Sequence, residues 1–325
     1  MLNRKFSNFN SRTNHSLTVS CNMKKIEGEL YSHHQKDIYF PEGSFLEKGF
    51  KISKRKEWNK FGGTVNKVRA SDGYPIQNFR NLIDEVALVT LNNRSFEMFY
   101  RGQSTDYLNN QSKYFSDRKK KSKIHPSICR PNRKEDGTLK YSIRQTEIQE
   151  RYNRLYGLID FINKKKRGKF PNEYYMSLFQ HYDILPTSLI DITQSLRVAA
   201  SFALKKNQVG YVYVFGLPYP NQSISYFTDL GIVLLKLQNI VSVKAIRPRY
   251  QEGYLVGKFP FSESKTVGDD LSNRMIAKFK IDNSNGNFWD KDFIPMPEEI
   301  LYPKDDEIEK ELKEYKTEFD KKYYS

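Results

Sequence analysis

The residues with the clearest potential for chemistry lie in one stretch, Gln180 to Ala203 (QHYDILPTSLIDITQSLRVAASFA). Gln180, His181 and Tyr182 stand side by side at its start, and each side chain can form hydrogen bonds. An imidazole can bond to a ribose hydroxyl or move a proton near neutral pH. The alternative is a buried histidine whose hydrogen bonds are satisfied inside the fold. The polar neighbours of His181 favour a role in a binding or catalytic site.

A helix is predicted to follow this polar cluster. Pro186 indicates a turn, and Asp191 and Thr193 are both good N-cap residues, so the helix is predicted to begin there. Asp191 could therefore be a cap and nothing more. A stripe of small and apolar residues recurs at i, i+3, i+4 and i+7: Leu196, Ala199, Ala200 and Ala203. Such a face can pack closely on a sheet, which would hold the polar cluster in place.

A second polar group stands at the end of a predicted strand. The strand Phe96–Tyr100 ends at Arg101, Gly102 and Gln103. An arginine followed by glycine suits a bidentate phosphate contact with close backbone approach. Alternatively, Arg101 pairs with a buried carboxylate such as Asp191 or Glu147 and stabilises the fold. The two roles are compatible, because an ion pair can also orient an arginine for a ligand.

The remaining apolar patterns predict an α+β fold. Helical spacing is found at 76–91, 145–164 and 305–323, and strand patterns at 210–215, 231–245, 249–256 and 273–283. Because helices precede a run of strands, we expect a mixed or mostly antiparallel sheet with flanking helices. Residues 1–74 are predicted to be a partly ordered N-terminal extension. Residues 75–325 are predicted to form one domain that ends in a charged helix.

The composition favours anionic partners. The 325 residues include 54 Lys and Arg against 38 Asp and Glu, a formal charge of +16. The alternative is a solubility bias, with lysines spread over solvated faces. The basic stretches at 118–123 and 164–169 could touch nucleic acid, but few aromatic residues accompany them. We therefore expect any such binding to be weak and non-specific.

Several classes of protein are excluded by what the sequence lacks. Two cysteines exclude a disulfide framework and a cysteine-rich zinc site. We predict no metal site, and the sequence has no phosphate loop, G-x-S-x-G or H-E-x-x-H motif. No run approaches the ~20 apolar residues of a membrane span, and the N-terminus lacks a signal core. A cytoplasmic, bacterial protein is expected, and the sequence leaves its oligomeric state open.

Several motifs together resemble those of the FRG domain family, which is named for a Phe-Arg-Gly motif. The resemblance runs from about residue 75 to 320 and is most specific in the central block. The matching residues are Tyr100-Arg101-Gly102-Gln103, with Tyr in place of Phe, then Pro126-Ser127, Arg130, Glu147, Gln180-His181-Tyr182, Pro186-Thr187, Leu189, Asp191, Thr193, Ala199 to Ala203, Arg249-x-Gln251-x-Gly253 and Leu301-Tyr302-Pro303.

The family's fold resembles ADP-ribosyltransferases, so the resemblance implies a nucleotide-like ligand, with NAD as the cofactor. It places Arg101 on the phosphates, the segment 181–193 beside nicotinamide, and Gln251 or Glu252 on the ribose. The implied ligand-binding set is Arg101, Gly102, Gln103, Gln180, Tyr182, Thr187 and Asp191, and the implied catalytic set is His181, Gln251 and Glu252.

The residues implied at the ribose, Gln251 and Glu252, leave open whether the protein is an enzyme. Breaking the nicotinamide–ribose bond calls for a carboxylate near the developing positive charge. Gln251 carries no charge, and adjacent strand residues face opposite ways, so Glu252 would point away unless a bulge at Gly253 turned it inward. The alternative to an ADP-ribosyltransferase-like enzyme is a non-catalytic module that senses a nucleotide or binds protein or nucleic acid.

Overall fold

The computed structural model describes residues 65–93, 96–108, 120–131, 143–166, 170–259, 261 and 270–324. In chain order its elements are α1 (Val65–Ala70), β1 (Tyr74–Ile76), α2 (Phe79–Asn92), β2 (Glu97–Gln103), α3 (Gln145–Lys166), α4 (Asn172–His181), β3 (Leu189–Thr193), α5 (Leu196–Leu204), β4 (Val209–Leu217), β5 (Ile224–Phe227), β6 (Ile232–Lys236), α6 (Leu237–Ile240), α7 (Arg247–Tyr250), β7 (Gly253–Lys258), β8 (Met275–Asp282), α8 (Glu298–Leu301) and α9 (Glu307–Tyr323). Short 3₁₀ turns include Ser127–Cys129, Thr228–Leu230 and Leu271–Arg274.

The chain divides into two compact units, each assembled from separated stretches. The first takes the described residues up to Lys123 together with Phe202–Pro220 and Ser272–Ile294. The second takes those within Ile124–Ser201, Asn221–Leu271 and Pro295–Ser325. The predicted α+β class, with mixed strand pairing and flanking helices, is confirmed. The predicted extension at 1–74 falls mostly outside the described residues and stays a prediction, as does the single domain at 75–325.

The first unit is built on four strands in the order β1-β8-β4-β2. β1 runs parallel to β8, and the other two pairings are antiparallel. Directly paired residues share a face, so Arg101, Tyr213 and Lys278 form a row across β2, β4 and β8. β4 begins close to α5, because a Cβ built on Gly210 would lie 2.3 Å from the carbonyl oxygen of Ala203. Only glycine fits at that approach.

The second unit pairs β3, β7, β6 and β5 in that order, all antiparallel. The amphipathic spacing of α3 is confirmed, and its inner face is buried in the core of this unit. Buried residues of that face are Ile148, Tyr152, Leu155, Leu158, Ile159 and Ile162. They pack in one cluster with α4, α9 and strands β3, β6 and β7. This cluster fixes the end of α4, where Gln180 and His181 lie.

The helix predicted to begin at Asp191 or Thr193 begins later, so that prediction is wrong. Both residues belong to β3, whose partner is β7, and the helix α5 starts at Leu196. Ser195 caps it, because its carbonyl accepts from the Ala199 N–H at 3.0 Å. Three of the residues around Asp191 are β-branched, Ile190, Ile192 and Thr193, and such residues prefer the pleated sheet surface.

Two further strand predictions are wrong in part. β6 ends at Lys236, and residues 237–245 form the short helix α6 followed by turns where a strand was predicted. The strand predicted from Arg249 begins only at Gly253, because α7 occupies Arg247–Tyr250 with Pro248 in its first turn. Proline fixes a helical φ there and cannot donate to a sheet ladder.

None of the helices within the described ranges combines the length and the apolar composition that crossing a bilayer requires.

Candidate functional site

The C-terminal end of α4 places two polar side chains against a carboxylate on β3. The Nε2 of Gln180 donates a hydrogen bond of 2.7 Å to Oδ2 of Asp191. The Nδ1 of His181 lies 3.4 Å from Oδ1 of the same carboxylate. Because an ionised carboxylate only accepts hydrogen bonds, the proton of a neutral His181 belongs on Nδ1. Each oxygen of Asp191 therefore faces a donor.

His181 and Asp191 differ in their exposure. The His181 side chain is 2% exposed, whereas that of Asp191 is 36% exposed. The second ring nitrogen of His181, Nε2, is buried and has no hydrogen-bond partner among the described residues. The backbone at Gly253 approaches this ring, because a Cβ there would lie 3.5 Å from Cε1 of His181. The imidazole of His181 is therefore buried, whereas part of the Asp191 carboxylate is open to solvent.

A second layer of hydrogen bonds fixes the orientation of the Gln180 amide. Its Oε1 accepts from the Ser127 hydroxyl at 2.9 Å and from the Thr187 hydroxyl at 2.7 Å. The backbone N–H of Thr187 donates to the Ser127 hydroxyl oxygen at 2.9 Å. Two hydroxyl donors at Oε1 leave only the NH₂ group to face Asp191. The sequence marked Ser127 and Thr187 as family motifs, but it gave no signal of this shared contact.

Arg151 anchors the Ser127 turn from α3. Its Nη1 donates to the carbonyl oxygens of Ile128 at 2.8 Å and Arg130 at 2.7 Å. Burial lowers the pKa of Arg151, and the nearby carboxylate of Glu147 partly offsets that effect. The acidic position that the sequence identified in this helix therefore supports the arginine electrostatically.

Tyr182 points to a different part of the second unit. Its hydroxyl donates to Oδ2 of Asp306 at 2.7 Å, and the same oxygen accepts the backbone N–H groups of Ile246 and Arg247. Burial raises the pKa of Tyr182, and the hydrogen bond to Asp306 raises it further. Asp306 also caps α9. The Tyr182 hydroxyl is therefore engaged in joining α4 to the start of α9.

Arg101, Gly102 and Gln103 belong to β2 in the first unit. Arg101 pairs with Tyr213 and Gln103 with Tyr211 in the β2–β4 register. The Oε1 of Gln103 is buried without a hydrogen-bond partner among the described residues. The cleft that would bring Arg101 and Gln103 together with His181 and Asp191 stays a prediction.

Gln251 and Glu252 lie in the turn between α7 and β7. Gln251 is buried, and its Nε2 donates to the Leu301 carbonyl at 2.6 Å. Its own carbonyl accepts from the Thr193 hydroxyl at 2.8 Å. Glu252 is exposed and has φ of 45°, a left-handed conformation that is uncommon for a residue with a Cβ. Strand alternation does not set the directions of these two side chains, because β7 starts after both residues.

A buried ion pair in the first unit was not predicted from the sequence. Lys278 is fully buried, and its Nζ donates to Oδ2 of Asp106 and to the Ser122 hydroxyl, both at 2.9 Å. The Tyr213 hydroxyl donates to Oδ1 of Asp106 at 3.0 Å. Burial lowers the pKa of Lys278, while Asp106 opposes that effect. The available signal was Lys278 itself, the only charged residue inside the buried run from Met275 to Phe279.

Metal-ligating side chains do not assemble in the described ranges, where no group of three or more His, Cys, Asp or Glu could hold an ion. The predicted absence of a metal site stays a prediction for the whole chain.

The fold and the site define an α+β protein with a carboxylate held by an amide and an imidazole. The model of the FRG domain family matches residues 97–210, so the chain contains an FRG domain in that range. The resemblance found in the sequence is thereby confirmed for residues 97–210. The match includes Arg101, Ser127, Gln180, His181 and Asp191, whereas Gln251 and Glu252 lie beyond it. Neither the curated proteins nor the solved structures gave a match.

Proposed function

We propose that this FRG-domain protein binds a nucleotide-like ligand, with NAD as the first candidate, and that Asp191 contacts its ribose. The observation that carries the proposal is the half-buried Asp191 carboxylate, held by Gln180 at 2.7 Å and faced by His181 at 3.4 Å. A carboxylate fixed in advance can accept hydrogen bonds from vicinal hydroxyls without the cost of reorganisation. Arg101 would hold the phosphates, as the family resemblance implies.

The reaction that this site would support is an ADP-ribosyltransferase-like one. The bond between the ribose C1′ and nicotinamide breaks, and its electron pair leaves with nicotinamide. An acceptor nucleophile then forms the new bond to C1′. The developing positive charge on the ribose needs a nearby carboxylate, and Asp191 is a held one. His181 would act as a positioning residue, because it keeps Asp191 in one orientation.

A second candidate is binding without turnover. Two observations favour it: the Gln251 amide is engaged with the Leu301 carbonyl, and Glu252 is exposed in a turn. Neither residue therefore presents a fixed charge where the family analogy expects one. In that case the protein would sense the nucleotide, and Asp191 would serve to recognise it.

The test of binding is a thermal-shift and calorimetric comparison with NAD and ADP-ribose. Ligand at 100 times its dissociation constant stabilises the folded state by ~2.7 kcal/mol, which gives a clear melting shift. Asp191→Asn and Arg101→Ala should each reduce the shift strongly while the far-ultraviolet spectrum stays unchanged. Asp84→Asn, an exposed carboxylate on α2, is the matched control and should behave as wild type.

Two results would contradict the proposal. One is the absence of any shift at millimolar NAD or ADP-ribose in the wild type. The other is an equal shift in wild type, Asp191→Asn and Arg101→Ala, which would mean that the ligand binds elsewhere.

A further inference from the structure

A separate pocket of about 950 Å³ lies within the first unit. It opens where β2 ends and β4 begins, so that loop residues from both strands form its walls. Its polar and aromatic lining includes Asp72, Ser104, Asp106, Lys120, Asn207 and Tyr211. Its size is within the range of pockets that enclose small-molecule ligands.

The Asp106 carboxylate on this lining is held rigidly. It accepts hydrogen bonds from Tyr213, Ser122 and Lys278 at 2.9 to 3.0 Å. A carboxylate has about four acceptor positions, so three bonds leave one for a further donor. Asp72, two residues after the end of α1, is exposed and has no hydrogen-bond or ion-pair partner among the described residues. The pocket therefore has two acceptors that can still receive a ligand hydrogen.

The charges around the pocket balance. The carboxylates of Asp72 and Asp106 are matched by the ammonium groups of Lys120 on the lining and Lys278 behind it. A phosphate would be repelled by both carboxylates, and an organic cation would be repelled by both ammonium groups. A neutral ligand experiences neither repulsion.

The lining mixes donors with acceptors and adds an aromatic ring. The ammonium of Lys120 donates, the two carboxylates accept, and the amides of Asn207 and Gln208 can do both. Hydroxyl groups do both, so they match such a surface better than an ammonium group, which only donates. Tyr211 packs nearly parallel to the buried Tyr213, at 6.4 Å between ring centres, and supplies an apolar wall.

We propose that this pocket binds a neutral sugar ring through adjacent hydroxyls, with Asp72 and Asp106 as acceptors and Tyr211 against the ring. The same chemistry is offered by a free monosaccharide and by the ribose of an uncharged nucleoside. The inference goes beyond the proposed function, because every lining residue belongs to the first unit, whereas Asp191 belongs to the second.

The test is ligand-observed NMR with the full-length protein. The probes are D-ribose, D-glucose, adenosine and uridine at millimolar concentration, with AMP and spermidine as charged comparisons. We expect at least one neutral probe to show saturation transfer, and AMP and spermidine to bind more weakly. Binding by the monosaccharides would identify a free sugar as the source, and binding by the nucleosides alone would identify ribose in a nucleoside.

Variants connect the signal to the pocket. Asp72→Asn should weaken binding about tenfold or more, because a hydrogen bond to a charged acceptor is lost. Tyr211→Phe should retain binding and Tyr211→Ala should lose it, since the ring and not the hydroxyl forms the wall. Asp84→Asn is the control for charge. If Tyr211→Ala fails to fold, Asp72→Asn alone decides.

The proposal is overturned if no neutral probe binds, if spermidine or AMP binds most tightly, or if Asp72→Asn binds the neutral probe as wild type does. The NAD shift should persist in Asp72→Asn, so failure of this proposal is distinguishable from failure of the proposed function. Loss of both signals in Asp72→Asn would contradict a separate sugar site.

Discussion

Gln180 and Asp191 are joined by a 2.7 Å hydrogen bond from the Gln180 Nε2 to the Asp191 Oδ2. The same amide accepts two hydroxyl donors, from Ser127 and Thr187, through its oxygen. One buried side chain therefore links the end of α4, the Ser127 turn and β3. This relationship makes the orientation of Asp191 depend on Gln180, and substitutions at Gln180 can test that dependence.

Removing the Gln180 amide should destabilise the fold. Gln180→Ala removes the acceptor of the buried Thr187 hydroxyl and of the partly buried Ser127 hydroxyl and creates a cavity, so we expect a loss of about 2–4 kcal/mol in the free energy of unfolding. Urea denaturation measures it. Gln77→Ala, at an exposed position, should change this free energy by less than about 0.5 kcal/mol. Equal stability of the two variants would mean that the network contributes nothing to the fold.

Replacing the same amide with a carboxylate should make stability depend on pH. In Gln180→Glu, two carboxylates would face each other, which raises the pKa of the pair above its value in the unfolded chain. The folded state then binds more protons, so stability should rise as the pH falls from 7 toward about 5. Denaturation across this range, compared with wild type, measures the effect. A pH slope identical to that of wild type would contradict the contact.

The buried pair of Lys278 and Asp106 should show strong coupling. Lys278→Met leaves a buried carboxylate without its cation and should cost about 3–5 kcal/mol, and Asp106→Asn in the same chain should restore part of that loss. The double-mutant cycle, measured by denaturation, gives the coupling free energy. If the destabilisation of the double variant equals the sum of the destabilisations of the two single variants, the pair does not interact.

The pKa of Lys278 adds a pH test to this cycle. Because burial lowers that pKa, the unfolded chain keeps the proton to higher pH than the folded one does. Stability contributed by this residue therefore rises with pH as the solution approaches the ordinary value of 10.5. Lys278→Met should lack this rise.

Release of nicotinamide from NAD can separate the candidate carboxylates. If Asp191 stabilises the ribosyl cation, Asp191→Asn should lower turnover about a hundredfold or more, and Glu252→Gln should change it little. The reverse result would assign the charge to Glu252, as the family analogy allows. If Gln251 positions the ribose, Gln251→Ala should weaken NAD binding. Gln251→Glu should then raise turnover, because it adds the missing negative charge. Binding of NAD with no release in wild type or any variant would identify a sensor.

Nucleic-acid binding should be weak, because part of the basic stretch on α3 is already paired. The Nζ of Lys166 lies 2.9 Å from Oε1 of Glu311 on α9, and Lys165 forms an ion pair with Glu318. We expect an affinity that falls steeply with salt, as counterion release requires. Glu311→Gln should strengthen binding of a fluorescent RNA more than Glu299→Gln does, although both change the net charge equally. A complex that resists high salt and prefers one sequence would contradict this expectation.

The pattern of apolar residues along the sequence was sufficient to predict the helices and strands whose burial is periodic. The spacing of apolar residues predicted α3, and the apolar runs predicted β2, β4 and β8, because burial on one face of a regular element repeats with its geometry. The pattern failed at Asp191, where the preference for a helix cap competed with pairing to β7. It failed again at Gln251, where Pro248 and the left-handed Glu252 replace a strand with a turn.

The sequence by itself determined the α+β class, the FRG domain within residues 97–210 and the adjacent polar residues Gln180 and His181, since these depend on residue type and near neighbours. It grouped Tyr182 with them, whereas the structure turns Tyr182 to Asp306 and brings Asp191 to the other two. Only the tertiary structure decided which atoms meet. Ser127 reaches Gln180 across 53 positions of the chain, and Lys278 reaches Asp106 across 172. Contacts at such separations are set by how strands and helices pack, because chain distance places no restriction on which buried polar groups become partners. The burial of His181 beside a partly exposed Asp191 follows from that packing.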